Sequence, residues 1–105
     1  MIYELRVYHI HPGRMDAIHQ RFADHTIDLF KKHGMGVVDF WEDLTENTIY
    51  YTMEHPDKES RDKNFDAFIN DPEWIDVKTK SELDGPIVVK VESYLMKRVP
   101  YSPLS

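Results

Sequence analysis

Three side chains in this sequence could together perform acid–base chemistry on a small molecule: His25, Tyr51 and His55. The imidazole of histidine titrates near neutral pH, so a histidine beside a tyrosine could remove a proton from an acidic phenol or enol. A histidine on a mostly apolar stripe is more often a packed, hydrogen-bonded residue of the core or its rim. We therefore predict these three residues as candidate catalytic groups, provided that the fold places them around one cleft.

The sequence lacks the residues that most other kinds of catalysis require. The sequence has no cysteine, which excludes disulfides, thiolate nucleophiles and cysteine-ligated metals. His9 and His11 share one strand face, but two ligands are too few for a metal site. Neither GxGxxG nor GxxxxGK[ST] occurs, and no serine stands in a glycine-flanked elbow. We predict no metal and no cofactor.

The length and net charge of the chain exclude several classes of protein. With 105 residues, the chain is expected to form a single domain over residues 1–105. Its net charge of −6 argues against a surface for nucleic acid or anionic lipid. The first twelve residues lack the features of a signal peptide, and no apolar stretch approaches the length of a membrane span. We therefore expect a cytoplasmic protein that binds neither nucleic acid nor membrane.

Periodicity and breaker residues predict an alternation of strands and helices. Strands are predicted over Ile2–His11, Gly36–Asp43, Thr48–His55 and Ile87–Val99, and helices over Arg14–His33, from Asp57 to about Ile69, and from Pro72 to Leu83. Gly34 should end the first helix, and Asp71 should cap the last. The order β-α-β-β-α-β is that of an α+β, ferredoxin-like fold, in which an antiparallel sheet carries its helices on one face.

The alternation of side chains along the strands divides the sheet into two faces. We predict that the helices cover the more apolar face, which comprises Tyr3, Leu5, Val7, Val38, Phe40, Ile49, Tyr51, Met53, Val89, Val91 and Leu95. The other face would show Glu4, Arg6, Tyr8, Val37, Asp39, Trp41, Tyr50, Thr52, Glu54, Val88, Lys90, Glu92, Tyr94 and Met96. Such a mixed aromatic and charged patch usually marks an interface or a ligand surface. We therefore predict a homodimer in which two sheets pack face to face and Glu4 pairs with Arg6.

Four segments of the sequence resemble the NIPSNAP family. They are YELRVYHIHPGRMDAI at the start, MEHPDKESRDKNFDAF at the end of the hairpin, NDPEW, and the terminal VPYSP, and they follow in order over nearly the whole chain. The resemblance implies a single NIPSNAP-like domain that forms a dimeric α/β barrel, with no established general reaction or cofactor. The same barrel superfamily includes cofactor-free monooxygenases, whose cleft usually lies between helices and sheet. There we expect His25, Tyr51 and His55.

The sequence leaves two functions open. The first is a homodimer that binds a small aromatic or enolisable molecule, whether or not it acts on it as a cofactor-independent enzyme. The alternative is a non-enzymatic protein–protein interaction module. A cleft of a few hundred cubic ångströms lined by the three candidate residues would favour the first function, whereas a filled interior would favour the second.

Overall fold

Four antiparallel strands form one sheet in the computed structural model, which describes residues 1–104. The strands are β1 (Ile2–Ile10), β2 (Gly36–Glu42), β3 (Thr48–His55) and β4 (Val88–Met96). Their order in the sheet is β2-β3-β1-β4, so β1 lies inside the sheet and pairs with both β3 and β4. The predicted ferredoxin-like, α+β architecture is confirmed.

The helices begin and end close to the predicted residues. They are α1 (Met15–Arg21), a π-helical segment (Phe22–Thr26), α2 (Ile27–Lys32), α3 (Lys58–Ile69) and α4 (Pro72–Ser81). The Asp57 side chain caps α3 by accepting a hydrogen bond from the Ser60 N–H at 2.7 Å. Asp71 caps α4 in the same way, with Pro72 at the first helical position. Gly34 follows α2 with a φ of 75°, a conformation that ends a helix at little cost only for glycine.

The first helical region contains a π-helical turn that its apolar periodicity does not predict. The Thr26 hydroxyl donates a hydrogen bond to the carbonyl oxygen of Arg21 at 3.1 Å, across this widened turn. A π-turn inserts an additional residue and therefore rotates the side chains that follow it relative to those of α1. Residues before and after Phe22 consequently face different neighbours on the sheet.

The hydrophobic core lies between the helices and one face of the sheet. Its centre is aromatic: the ring centroids of Phe22 and Phe40 lie 5.2 Å and 4.9 Å from that of Tyr51. Phe30 continues this cluster toward α3, where it contacts Phe68. Tyr51 is fully buried, and the rings around it leave the centre of the interior filled.

The prediction for the two faces of β1 was wrong. Glu4, Arg6 and Tyr8 pair in register with Met53, Tyr51 and Ile49, which puts them on the helix-covered side. Tyr3, Leu5 and Val7 instead lie on the opposite face, which the helices leave open. Glu4 and Arg6 can face the core because buried partners neutralise the charge of Glu4. Counting the apolar residues on each side of β1 does not reveal these partners.

Two β-bulges contradict further predictions of which strand residues face the helices. A register shift between Val37 and Asp39 turns Val37 toward the core and leaves Val38 about half exposed. A second shift, opposite His9 and Ile10, brings Val88 against the core and Val89 out to solvent. An additional residue reverses the alternation beyond it, so simple alternation fails at these positions.

The remaining residues of the predicted second face do lie on the open side of the sheet. We call this surface the open face: Tyr3, Leu5, Val7, His9, Trp41, Tyr50, Thr52, Glu54, Lys90, Glu92, Tyr94 and Met96. Its polar groups partly pair with one another, since Glu92 accepts hydrogen bonds from His9 and Tyr94. Trp41 and Tyr94 remain about half exposed.

Candidate functional site

A buried charge network lies beneath the helices with Glu4 at its centre. The Glu4 side chain is completely inaccessible to solvent, yet both of its oxygens are hydrogen bonded. The donors are Arg6 at 2.9 Å, His55 at 3.0 Å, Arg61 at 2.7 and 3.0 Å, and Ser93 at 2.6 Å. These residues come from β1, β3, α3 and β4, so one carboxylate ties together three strands and a helix. Glu4 does pair with Arg6 as predicted, but the pair lies beneath the helices of one chain and not in the predicted dimer interface.

The network extends from Arg6 to two phenols. The Arg6 Nε donates to the Tyr51 hydroxyl at 2.7 Å, and that hydroxyl donates to Tyr8 at 3.0 Å. Phe65 adds an aromatic surface, because the guanidinium groups of Arg6 and Arg61 lie 4.6 and 4.7 Å from its ring centre. Cations held against a ring in this way gain further stabilisation when they are desolvated.

Burial and charge fix the protonation states of this network. Burial alone would raise the pKa of Glu4, but the hydrogen bonds from its partners outweigh that effect and hold the pKa well below its usual range. Burial, together with the neighbouring Tyr8, raises the pKa of Tyr51 well above its ordinary value. Glu4 is therefore ionised and Tyr51 protonated at neutral pH, so Tyr51 cannot act as a base there.

The three predicted catalytic residues do not share a cleft. Tyr51 and His55 are both buried in the filled interior, where His55 Nε2 donates to the Glu4 carboxylate. His55 Nδ1 is buried without a hydrogen-bond partner among residues 1–104. His25 is exposed and lines a groove between α1 and α4. Because the first two residues are sealed from solvent, we assign them to the structural network.

Replacing Tyr51 with phenylalanine tests whether the hydroxyl is needed to satisfy Arg6. Its loss leaves the Arg6 Nε as a buried donor without its acceptor, which should lower the free energy of unfolding by about 1–3 kcal/mol. Urea denaturation of Tyr51→Phe and of the exposed control Tyr101→Phe would measure the difference. Equal stability of the two variants would show that water replaces the hydroxyl.

A separate cleft opens at the β2 edge of the sheet, away from Tyr51 and His55. It has a volume of about 300 Å³. Its wall is formed by His19, Phe22, Ala23, Ile27, Phe40, Trp41, Glu42 and Ile49. The π-helical segment supplies Phe22 and Ala23, so the widened turn forms one side of the cleft. This surface is mostly apolar and suits a small flat molecule better than a charged one.

One polar pair stands at the rim of this cleft. His19 Nε2 contacts Glu42 Oε1, and both side chains are about half exposed. An ionised carboxylate can only accept, so the hydrogen bond places a proton on Nε2 and leaves Nδ1 of a neutral His19 as an acceptor. The pair therefore has the parts of a general base, a histidine oriented by a carboxylate, beside an apolar cleft.

The described residues contain neither a cluster of metal ligands nor a membrane-spanning helix. Among residues 1–104, no three histidine, aspartate or glutamate side chains come together in a way that could hold a metal ion. In the same part of the chain, none of the helices combines the length and apolar character needed to cross a lipid bilayer.

Known proteins resemble this chain over nearly its whole length. The family model described as NIPSNAP matches residues 3–103. A NIPSNAP family protein of unknown function from Agrobacterium tumefaciens is 23% identical with a TM-score of 0.85, and the alignment covers 100% of this chain and 94% of that one. A NIPSNAP domain protein from Burkholderia xenovorans is 18% identical with a TM-score of 0.83, covering 98% of this chain and 99% of that one.

A more distant structural relative has an enzymatic name. A crystal structure of an antibiotic biosynthesis monooxygenase is 13% identical with a TM-score of 0.64, and the alignment covers 95% of this chain and 100% of that one. At these identities the structural likeness concerns the fold alone. No functionally curated protein matches the chain.

Proposed function

The chain belongs to the NIPSNAP family, and from this fold we propose that it is a homodimer that binds a small aromatic or enolisable molecule in the cleft at β2. The apolar cleft beside the His19–Glu42 pair is the observation that carries the proposal. Its aromatic walls would stack on a flat ligand, and the pair would hydrogen bond the acidic hydroxyl at its edge.

The geometry supports a specific role for His19. Glu42 accepts a hydrogen bond from Nε2 and so fixes the imidazole ring, and His19 Nδ1 could then take a proton from a phenol or enol bound in the cleft. The proposal requires only binding and deprotonation of such a compound. His25, Tyr51 and His55 have no part in this site.

Binding can be tested with 1-naphthol as the probe and the isoleucine methyl groups as reporters. Ile27 and Ile49 line the cleft, whereas Ile75 lies on α4. We expect naphthol to shift the NMR resonances of Ile27 and Ile49 and to leave that of Ile75 unchanged. The variant Ala23→Met, which fills the cleft, should weaken binding at least about tenfold.

Ala67→Met provides the matched control for this experiment. Ala67 is exposed on α3, away from the cleft, so the same substitution there should leave naphthol binding unchanged. Shifts that persist in Ala23→Met, or no shift of Ile27 and Ile49 in the natural sequence, would contradict the proposal.

The alternative, a non-enzymatic interaction module, is supported by a different surface. Ile69, Ile75 and Leu83 lie on or beside α4 with half or more of their side chains exposed. They form an apolar wall around Trp74, which suits contact with a protein better than enclosure of a small molecule. Failure of the naphthol experiment would leave this function as the better explanation.

A further inference from the structure

A second groove lies between α1 and α4, on the other side of the first helical region from the cleft. Its volume is about 450 Å³. The groove is lined by Arg14, Ala17, Gln20, Arg21, His25, Asp76, Val77, Lys80, Ser81 and Asp84. It differs from the cleft in chemistry, because two arginines contribute to a wall that also has apolar parts.

Arg21 is buried with most of its hydrogen-bonding capacity unused. Only 5% of its side chain is exposed. Its Nη1 donates to the Ser81 hydroxyl at 3.2 Å, but Nε is buried and has no acceptor among residues 1–104. The nearest carboxylate oxygen, on Glu82, stands 3.6 Å from Nη1, beyond hydrogen-bond distance. The guanidinium lies 5.2 Å from the ring centre of Trp74, which partly compensates for its burial.

Arg14 brings a second guanidinium to the same residue. Its Nη2 donates to the carbonyl oxygens of Ser81 at 2.9 Å and Gly85 at 3.1 Å, so it binds the C-terminal end of α4. Its Nε is likewise buried and finds no acceptor in the described part of the chain. A guanidinium has five N–H donors, and buried donors without acceptors are costly. Arg14 Nη1 and Arg21 Nη2 also make no hydrogen bond among residues 1–104, and these atoms, rather than the buried Nε, are the donors that an external acceptor could reach.

The charged groups near the groove offset these arginines only in part, and the ion pair of Glu82 with Arg21 spans 3.6 Å. Lys80 and Asp76 pair with each other at 3.0 Å. Glu82, which lies near Arg21, also pairs with Lys78 at 2.9 Å. Asp84 is the remaining carboxylate of the lining, against the two arginines. The groove therefore keeps a surplus of positive charge on a protein whose net charge is −6.

We propose that this groove is a second binding site and that it takes a small molecule with a carboxylate on an apolar body. The planar guanidinium matches a carboxylate in shape and charge, and two of them favour an anion over a neutral acceptor. Ala17 and Val77 provide the surface for the apolar part. The site is independent of the naphthol cleft, because the two lie on opposite sides of the helix.

Calorimetric titration with sodium benzoate, at constant ionic strength, tests the proposal directly. We expect benzoate to bind, and benzamide, which has the same shape without the charge, to bind at least about tenfold more weakly. Gln20→Trp should block the mouth of the groove and abolish benzoate binding, whereas Gln20→Ala should retain it. Gln20 is exposed, so neither variant alters the core.

Further variants separate the arginines from the fold and this site from the cleft. Arg21→Lys keeps the charge but loses the planar fork, and it should weaken benzoate binding about tenfold. Ala23→Met should leave benzoate binding unchanged even where it removes naphthol binding. The proposal is overturned if benzoate does not bind, if it binds equally to Gln20→Trp, if benzamide binds as tightly, or if inorganic phosphate binds more tightly.

Discussion

Replacing Glu4 with glutamine should lower the free energy of unfolding by about 3–5 kcal/mol, the largest effect that we expect from a single substitution in this chain. The amide keeps the shape of the side chain but removes the charge that balances the guanidinium groups of Arg6 and Arg61. Arg6 would then lose its carboxylate partner, and Arg61 would keep only its exposed pair with Asp62. Urea denaturation at neutral pH measures the loss.

Glu59→Gln is the matched control for this substitution. Glu59 is exposed in the first turn of α3, so the same change of charge there should alter the free energy of unfolding by no more than about 0.5 kcal/mol. A Glu4→Gln protein as stable as this control would show that the buried cations find other partners.

Lowering the pH should remove part of the stability that Glu4→Gln removes. The folded pKa of Glu4 lies below the ordinary value of 4.5, so the contribution of its charge is complete above that pH. It is lost as the pH falls through the folded pKa. The difference in stability between the natural protein and Glu4→Gln should therefore narrow as the pH is lowered below 4.5. A difference that stays constant in acid would contradict the assigned charge state.

Introducing a charge on the open face should separate the proposed dimer. Leu5 stands on β1, between Thr52 and Tyr94 on the neighbouring strands. In Leu5→Glu the carboxylate is hydrated in the monomer but would lose that hydration between two packed sheets. We expect the dissociation constant to rise at least about a hundredfold. Light scattering over a range of concentrations would measure it.

Leu44→Glu is the control for the dimer experiment, because Leu44 is fully exposed in the turn between β2 and β3. It should leave the mass at that of two 12.5 kDa chains. Far-ultraviolet circular dichroism of Leu5→Glu would show whether the sheet remains folded. The dimer proposal fails if the natural protein is monomeric at micromolar concentration or if Leu5→Glu remains dimeric.

The helices and strands could be predicted because their limits depend on neighbouring residues. Asp57, Asp71 and Pro72 set helix starts through contacts within a few positions of the chain, and Gly34 ends a helix through its own backbone. Two ends were misplaced: α4 ends at Ser81 rather than Leu83, and β4 ends at Met96 rather than Val99.

The face of β1 could not be predicted in the same way. Which face of β1 is buried depends on Arg61 and Ser93, which are 57 and 89 positions from Glu4 in the sequence. On strand β1 alone, the row of Tyr3 and Leu5 is the more apolar choice for a core. A buried charge becomes acceptable only when distant residues supply its hydrogen bonds, and a strand-by-strand count does not include them.

The position of the cleft at the β2 edge could not be predicted from the sequence either. Its wall depends on the π-helical turn at Phe22–Thr26, and the apolar spacing of the first helix is compatible with an ordinary α-helix. The pairing of His19 with Glu42 follows only from the way that the helix crosses β2. Tyr51 and His55 were predicted as catalytic candidates because of their residue types. Their burial and hydrogen bonds instead make them part of the structural network around Glu4.

The central position of β1 also determines when the chain can complete its fold during synthesis. β1 is made first, yet one of its edges pairs with β4, which is made last. Until β4 has left the ribosome, the nascent chain exposes the unpaired backbone of that edge, together with an unfinished shell around Glu4. Contacts of such long sequence separation form slowly, and an unpaired strand edge invites pairing with other chains. Nascent chains of this protein should therefore depend on chaperones until β4 emerges.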